Sequence, residues 1–320
     1  MSIASCLLIY TAAVTVLAPR PLLRLTRSGV APRLGVAAWL TAISTVMAAG
    51  TVAVVMLAQD MARNWNRPGD TVLAACFALL RSVATGRYGV EVQTGLVALT
   101  VVAAGAVAAV AWRLGRSLAR ARTSTHDHAR SARLTGRRIA GVEAIVLDAP
   151  QRLAYCVAGR PHTIVVTSAA VDALDGPHLA AVLAHEQAHL SGRHHLILAA
   201  TRGVAAILPR VGLFTTGASE VARLLEMCAD DTAARRHGSR NVLTALLALS
   251  GVAPIPAGAL GATGVGVLAR AQRLAAPAAP ARRLRTRLAL TAVAGGVAAG
   301  PVLIGLLAAT GLSVCGPMAC

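Results

Sequence analysis

Long apolar runs broken by arginine-rich segments set the pattern along this chain. Ser2–Ala18 is nearly free of charge, and Arg20, Arg24, Arg27 and Arg33 follow it rather than precede it. That order argues for a first membrane helix over residues 2–18 with its N-terminus outside. It argues against a signal peptide, which carries its basic residues in front. Gly35–Ala58 is a second run of spanning length, expected as a helix over 35–58. Gly95–Trp112 is a third (95–112), rich in small residues that let helices pack closely, and Leu288–Leu312 is the core of a fourth (286–312). Between the second and third runs, Gln59–Thr94 is mixed, its four arginines nearly balanced by Asp60, Asp70 and Glu91, as expected on the outer side. Within it Val72–Ala84 is apolar but short and carries Arg81, so it reads as an amphipathic or re-entrant helix; as a true span it would invert the topology downstream.

The period changes in the middle of the chain. EAIVLD, LAYCVAG and TIVVTS, within Glu143–Arg160 and His162–Thr167, are short β-rich runs punctuated by Pro and Gly. Pro177–Ala184 then favours a helix, with Asp175 as N-cap and Pro177 in the first turn. Ser219–His237 reads as another, ending at Gly238, and Asn241–Ser250 as a further helical piece before a Gly, Ala and Pro-rich loop to about Gly266. Leu196–Phe214 is apolar but contains Arg202 and Arg210, a composition suited to grazing a membrane without crossing it. The expected fold is therefore a mainly α membrane protein of about four transmembrane helices. A membrane region over 1–112 precedes an α+β domain over 113–285, inserted between the third and fourth spans, and a short external tail covers 313–320.

Composition supports the membrane assignment. The chain is 56% hydrophobic, 2% aromatic and 14% charged, with a mean hydropathy of +0.63. Its formal charge of +18 comes from arginine alone, since there is no lysine. A charge of that size raises nucleic-acid binding as an alternative. The arginines stand beside the apolar runs, however, and aromatics for base stacking are scarce, so the positive-inside rule and anionic lipid headgroups account for them and no direct nucleic-acid binding is expected. By the same rule the α+β domain faces the cytoplasm of a multi-pass cell-membrane protein, with both termini outside. Eight arginines lie between Arg113 and Arg138, and the His126, Asp127, His128 interruption reads as a solvated juxtamembrane linker rather than a metal site. Six arginines around a Pro-Ala linker in Arg270–Arg287 lead into the last span. The six cysteines show no C-x-x-C spacing. Cys156 and Cys228 are expected as free buried thiols, and a Cys315–Cys320 disulfide is open to an exported tail.

Against this background one stretch concentrates reactive chemistry: His185, Glu186, Gln187, Ala188, His189. With 9 His and 5 Glu in 320 residues, H-E-x-x-H is expected about 0.004 times by chance. On a helix the two histidines, four apart, share a face and reach one tetrahedral metal, while Glu186 is rotated by about 100° toward the open position, where it can act as general base and acid on an activated water. Later, in LLEMCADD, Glu226 and Asp230 are again four apart: Glu226 can supply a third ligand and Asp230 can accept a hydrogen bond from a ligating imidazole. Three protein ligands with one open position point to a catalytic zinc site. His194, His195, Arg235, Arg236 and His237 are candidates for an oxyanion or substrate contact, among which sequence does not choose; His194 and His195 also read as ordinary C-terminal cations of the metal helix. Thr163, Ile164, Val165, Val166 and Thr167 are the candidate edge strand along which an extended substrate would lie.

These motifs in this setting resemble the BlaR/MecR-type antirepressor metallopeptidases, integral membrane zincins: three N-terminal spans, HEQAH followed by LSGRHHL, then EMCADD, then a further span. From Thr163 to Asp230 the chain is also similar to HtpX-like and CAAX-processing membrane peptidases. The resemblance implies Zn2+ held by His185, His189 and Glu226, Glu186 as catalytic acid and base, and Asp230 in support. It also implies a cytoplasmic protein substrate, such as a winged-helix repressor, and contact with the lipid bilayer. Sensor members carry a penicillin-binding domain with a Ser-x-x-Lys nucleophile after the last span; these 320 residues hold none, so beta-lactam recognition is not expected of them. A membrane-protein quality-control peptidase and a non-catalytic signal transducer are the competing readings, and nothing in the sequence sets the oligomeric state.

Overall fold

The computed structural model describes residues 3–63, 115, 136–138, 144–157, 162–250, 260–261 and 266–309. The expected span at 95–112, the short apolar stretch at 72–84, the His126 and His128 linker and the Cys315–Cys320 pair lie outside the described residues. Residues 1–14, 44–117 and 299–320 form one compact unit, and residues 15–43 and 118–298 a second.

Three helices open the chain: α1 (Ile3–Leu17), α2 (Pro19–Thr26) and α3 (Pro32–Arg63). Proline stands at the first position of α2 and α3, where its missing N–H costs nothing and its fixed φ favours helix entry. The helix expected over 2–18 is present with nearly those bounds. It ends at Leu17, and α2 leaves at a bend of 40°. At 1.5 Å per residue the 15 residues of α1 cover about 22 Å, short of the ~30 Å hydrocarbon core. Pro32–Met56 and Pro280–Leu307 are long and apolar enough to cross a membrane, and the bent α1–α2 pair makes a third candidate if counted as one span. In the first unit, Leu7, Ala49 and Ala53 pack with Ile304. Gly300 lies against Tyr10 so closely that a Cβ there would collide with the ring.

The second unit carries a five-stranded sheet in the order β1-β2-β4-β3-β5, made of Arg137–Arg138, Ile145–Leu147, Thr163–Thr167, Ala154–Val157 and Leu260–Gly261. β2 and β4 run parallel; the other neighbours are antiparallel. β4, expected as an edge, is instead paired on both sides, by β2 over Val165–Thr167 and by β3 over Thr163–Val166, and every residue in it is buried. Its uninterrupted TIVVT run is the composition of a covered interior strand rather than of a solvated edge. Alternation sorts its side chains: Ile164 and Val166 join the core under the helices, and Val165 packs with Tyr155 and Val157 on the other face.

Thr167 ends β4 and caps α4 (Ser168–Ala173), its hydroxyl accepting from the Ala170 N–H. Asp175 caps α5 (Gly176–Ser191) in the expected way, accepting from His178 N–H at 3.0 Å. After α6 (His194–Ile207), α7 (Gly212–His237) is the longest helix of this unit's middle, starting seven residues before the expected Ser219 and ending at Gly238, whose φ of 83° suits glycine. α8 (Ser239–Leu249) and α9 (Val267–Ala275) follow, and α10 (Pro280–Ala309) begins well before the expected Leu288, so that Arg282, Arg283, Arg285 and Arg287 form its first turns. α5 sits between the sheet and α7. Val182 and Leu190 face the strands, while the small Ala181 and Ala184 meet Ala233, Val242 and Leu246, which lets the helices approach closely.

Candidate metal centre

His185 and His189, one turn apart on α5, put their Nε2 atoms 3.1 Å from each other. Glu226 of α7 faces both, with Oε2 at 3.5 Å from His185 Nε2 and Oε1 at 3.4 Å from His189 Nε2. The three donor atoms lie within 4.8 Å of one another, and all three side chains are buried. Two helices from opposite ends of the sequence motif therefore bring together the triad expected from spacing, through the Ala181, Ala184 and Ala233 contacts that close the α5–α7 interface.

Each imidazole is held by its other nitrogen. His185 Nδ1 lies 3.1 Å from Asp230 Oδ1, one turn beyond Glu226, and His189 Nδ1 lies 2.8 Å from His194 Nδ1. Bonds at Nδ1 direct the two Nε2 atoms toward Glu226. His194 reaches His189 because the chain reverses at Gly192 and at Arg193, whose left-handed φ of 50° is unusual for a side-chain-bearing residue. The cap reading of His194 is corrected accordingly: it starts α6 and is buried in the centre.

Sequence reasoning missed Arg270. Its Nε donates to Asp230 Oδ2 at 2.8 Å, its Nη2 to Asp230 Oδ1 at 2.7 Å, and its Nη1 stands 3.1 Å from Glu226 Oε2. The last approach lacks hydrogen-bond alignment, so Glu226 Oε2 is left without a donor. A signal for Arg270 did exist: it shares the i, i+3, i+4, i+7 face of α9 with Val267, Ala271 and Leu274, and a charge on an apolar face implies a buried partner.

Glu186 is 0% exposed, and among the described residues no group meets either carboxylate oxygen in hydrogen-bond geometry. Desolvation pushes its pKa up to about 8, helped by the negative Glu226 and opposed by His185. The Cys156 thiol of β3 lies close enough to feel this charge and is pushed up by its own burial and by Glu186. For His185, burial is the largest influence and would lower the pKa, but Asp230 and Glu226 outweigh it and raise it to about 10. Burial lowers His189 to about 3 and His194 to about 4. Glu226, despite its burial, is brought down to about 2 by His189, His185 and Arg270, and Asp230 falls below the usual carboxylate range because Arg270 overrides its desolvation.

Other candidates are not brought to this cluster. Arg235 is exposed and donates to Thr232; it and His237 stand nine and eleven residues beyond Glu226 on α7, about 13 and 16 Å of helix rise away. Arg236 is exposed beside them. His195 pairs with His162, ring centroids 6.4 Å apart, on a different side of α6 from His194.

Residues 116–250 match the model of Peptidase family M48, a segment that holds His185, Glu186, His189, Glu226 and Asp230 and stops short of Arg270. No curated protein and no solved structure matches the chain.

Proposed function

We propose that this chain is a membrane-associated, zinc-dependent endopeptidase. The observation that carries the reading is the buried Glu186 carboxylate, which no group among the described residues meets in hydrogen-bond geometry, on the same helix turn as the His185 and His189 nitrogens that converge with Glu226. The residues fit the metal. Two imidazoles and one carboxylate are a common catalytic zinc set, both Nδ1 atoms are engaged elsewhere, and Glu226 Oε2 lacks a donor. His185, His189 and Glu226 would hold the ion, and bound zinc would supply Lewis acidity toward a water and a substrate carbonyl.

The chain's own groups do the rest. Glu186, with a pKa raised by its dry surroundings, takes the proton of the attacking water and returns it to the leaving amine. Asp230 keeps the His185 ring in one tautomer, and His194 does the same for His189. Because β4 is paired on both sides, an extended peptide does not add along it; among the described residues the outer strands of this sheet are β1 and β5.

The likeness to antirepressor metallopeptidases supports a regulatory protein of the cytoplasm, such as a winged-helix repressor, as substrate, with the α+β domain on the cytoplasmic face. The likeness to HtpX-like peptidases supports misfolded membrane proteins instead. Full-length protein and Glu186→Gln, both analysed for bound zinc, are incubated with a candidate repressor and with an unfolded membrane protein. Equal zinc with cleavage lost in the variant supports the enzyme, and the substrate consumed selects between the two. Equal cleavage by both proteins removes the assignment and leaves a non-catalytic transducer.

A further inference from the structure

We infer that Arg270, which lies outside the segment matched to the peptidase family, is a positioning residue that builds the metal centre from α9. The inference rests on the zinc reading above. One guanidinium, 1% exposed, grips both oxygens of Asp230 and stands beside Glu226, so it touches the carboxylate that orients His185 and the one that faces both imidazoles. A planar, forked guanidinium holds the Asp230 carboxylate by two donors in a fixed orientation while setting its charge beside Glu226; a point charge cannot make the two-donor grip. Charge agrees with geometry. Glu186, Glu226 and Asp230 are three buried acids, Arg270 is a buried cation that contacts two of them, and once His185 is neutral as a ligand a divalent ion added to Arg270 balances the three.

What brings Arg270 there is packing rather than proximity in sequence. Val267, Ala271 and Leu274 seat α9 against Val242 and Leu246 of α8 and against Ala233 of α7. The neighbouring Arg273 anchors the same helix by a different route, pairing with Asp231 and donating to the Met227 carbonyl at 3.0 Å, and it stays 3.9 Å from Asp230. The two arginines thus separate the orientation of ligands from the docking of the helix.

The test uses the full-length protein in detergent. Zinc affinity is read by competition with a chromophoric chelator, and the ligand field by the visible bands of the cobalt(II) form, for the unchanged chain, Arg270→Gln, Arg270→Lys and Arg273→Gln, with thermal unfolding of each metal-free protein alongside. Arg270→Gln is expected to bind zinc about 10- to 100-fold more weakly and to shift the cobalt bands, Arg270→Lys to recover only part of both, and Arg273→Gln to lower the unfolding temperature while the cobalt bands stay put. If Arg270→Gln does not fold, the bands of Arg270→Lys decide. Unmoved bands and affinity in a folded Arg270 variant, or an equal loss in Arg273→Gln, would overturn the inference and reduce Arg270 to a helix staple. Metal uptake without peptide cleavage would defeat the proposed function and leave the inference standing, whereas no uptake by the unchanged chain would defeat both.

Discussion

His194 Nδ1 stands 2.8 Å from His189 Nδ1, so the second imidazole of the H-E-x-x-H helix is held by a third from the next helix rather than by a carboxylate. Burial lowers His189, with His194 adding to it, whereas at His185 the Asp230 and Glu226 carboxylates outweigh burial, so the two rings shift in opposite directions. Replacement of His194 by Phe removes the acceptor and frees the His189 ring. Zinc affinity measured by chelator competition is expected to fall about 10- to 100-fold, with Glu186 untouched.

The turn that delivers His194 has no spare room. A Cβ on Gly192 would fall 2.5 Å from His194 Nε2 and 3.0 Å from the Ala188 carbonyl. The Gly192 backbone is right-handed, with φ of −76°, so Gly192→Ala acts by collision and not by backbone strain. We expect it to cost about 1–3 kcal/mol in thermal or denaturant unfolding and to weaken zinc binding in the same direction as His194→Phe.

Zinc binding should release protons. Without metal at pH 7, His185, pushed up to about 10, and Glu186, pushed up to about 8, both hold a proton. The ion requires the His185 lone pair, and its charge favours ionised Glu186, so about two protons are expected to leave. Both groups are protonated on the acid side of their pKa, so apparent affinity rises with pH, steeply below about 8 where both protons must leave and more gently from there to about 10 where only the His185 proton remains. Calorimetric titration of zinc in two buffers of different ionisation enthalpy gives the number directly; a value near zero would contradict the raised pKa of both groups.

Asp230→Asn removes the charge that Arg270 grips with two donors and replaces an acceptor by an amide N–H that faces a donor. A buried cation losing its partner is expected to destabilise the metal-free protein by about 3 kcal/mol. Unfolding of the variant checks this. The double variant Asp230→Asn with Arg270→Gln should lose less than the two single losses added together, because the Arg270 charge then no longer stays buried without its Asp230 partner.

The reactive triad was legible in the sequence because helix geometry is local: residues four apart share a face whatever surrounds them, so His185 with His189, and Glu226 with Asp230, declare themselves by spacing. The same holds for Asp175 as a cap, Gly238 as a stop and the three short strands, each a property of a few neighbouring residues. The bend after Leu17 was readable only in part, since Pro19 marks a helix start as readily as a kink.

What the sequence by itself determined, then, is which side chains each helix presents and that two of those helices carry metal-ligand chemistry. Tertiary structure alone decided that β4 lies inside the sheet, that His194 folds back over His189, and that Arg270, 40 residues beyond Asp230, closes the centre. The physical reason is common to all three. Strand order, the hand of a two-residue turn and the partner of a buried charge depend on contacts between segments brought together by burial of apolar surface, a force proportional to area and without direction, so it leaves no periodic mark on the chain.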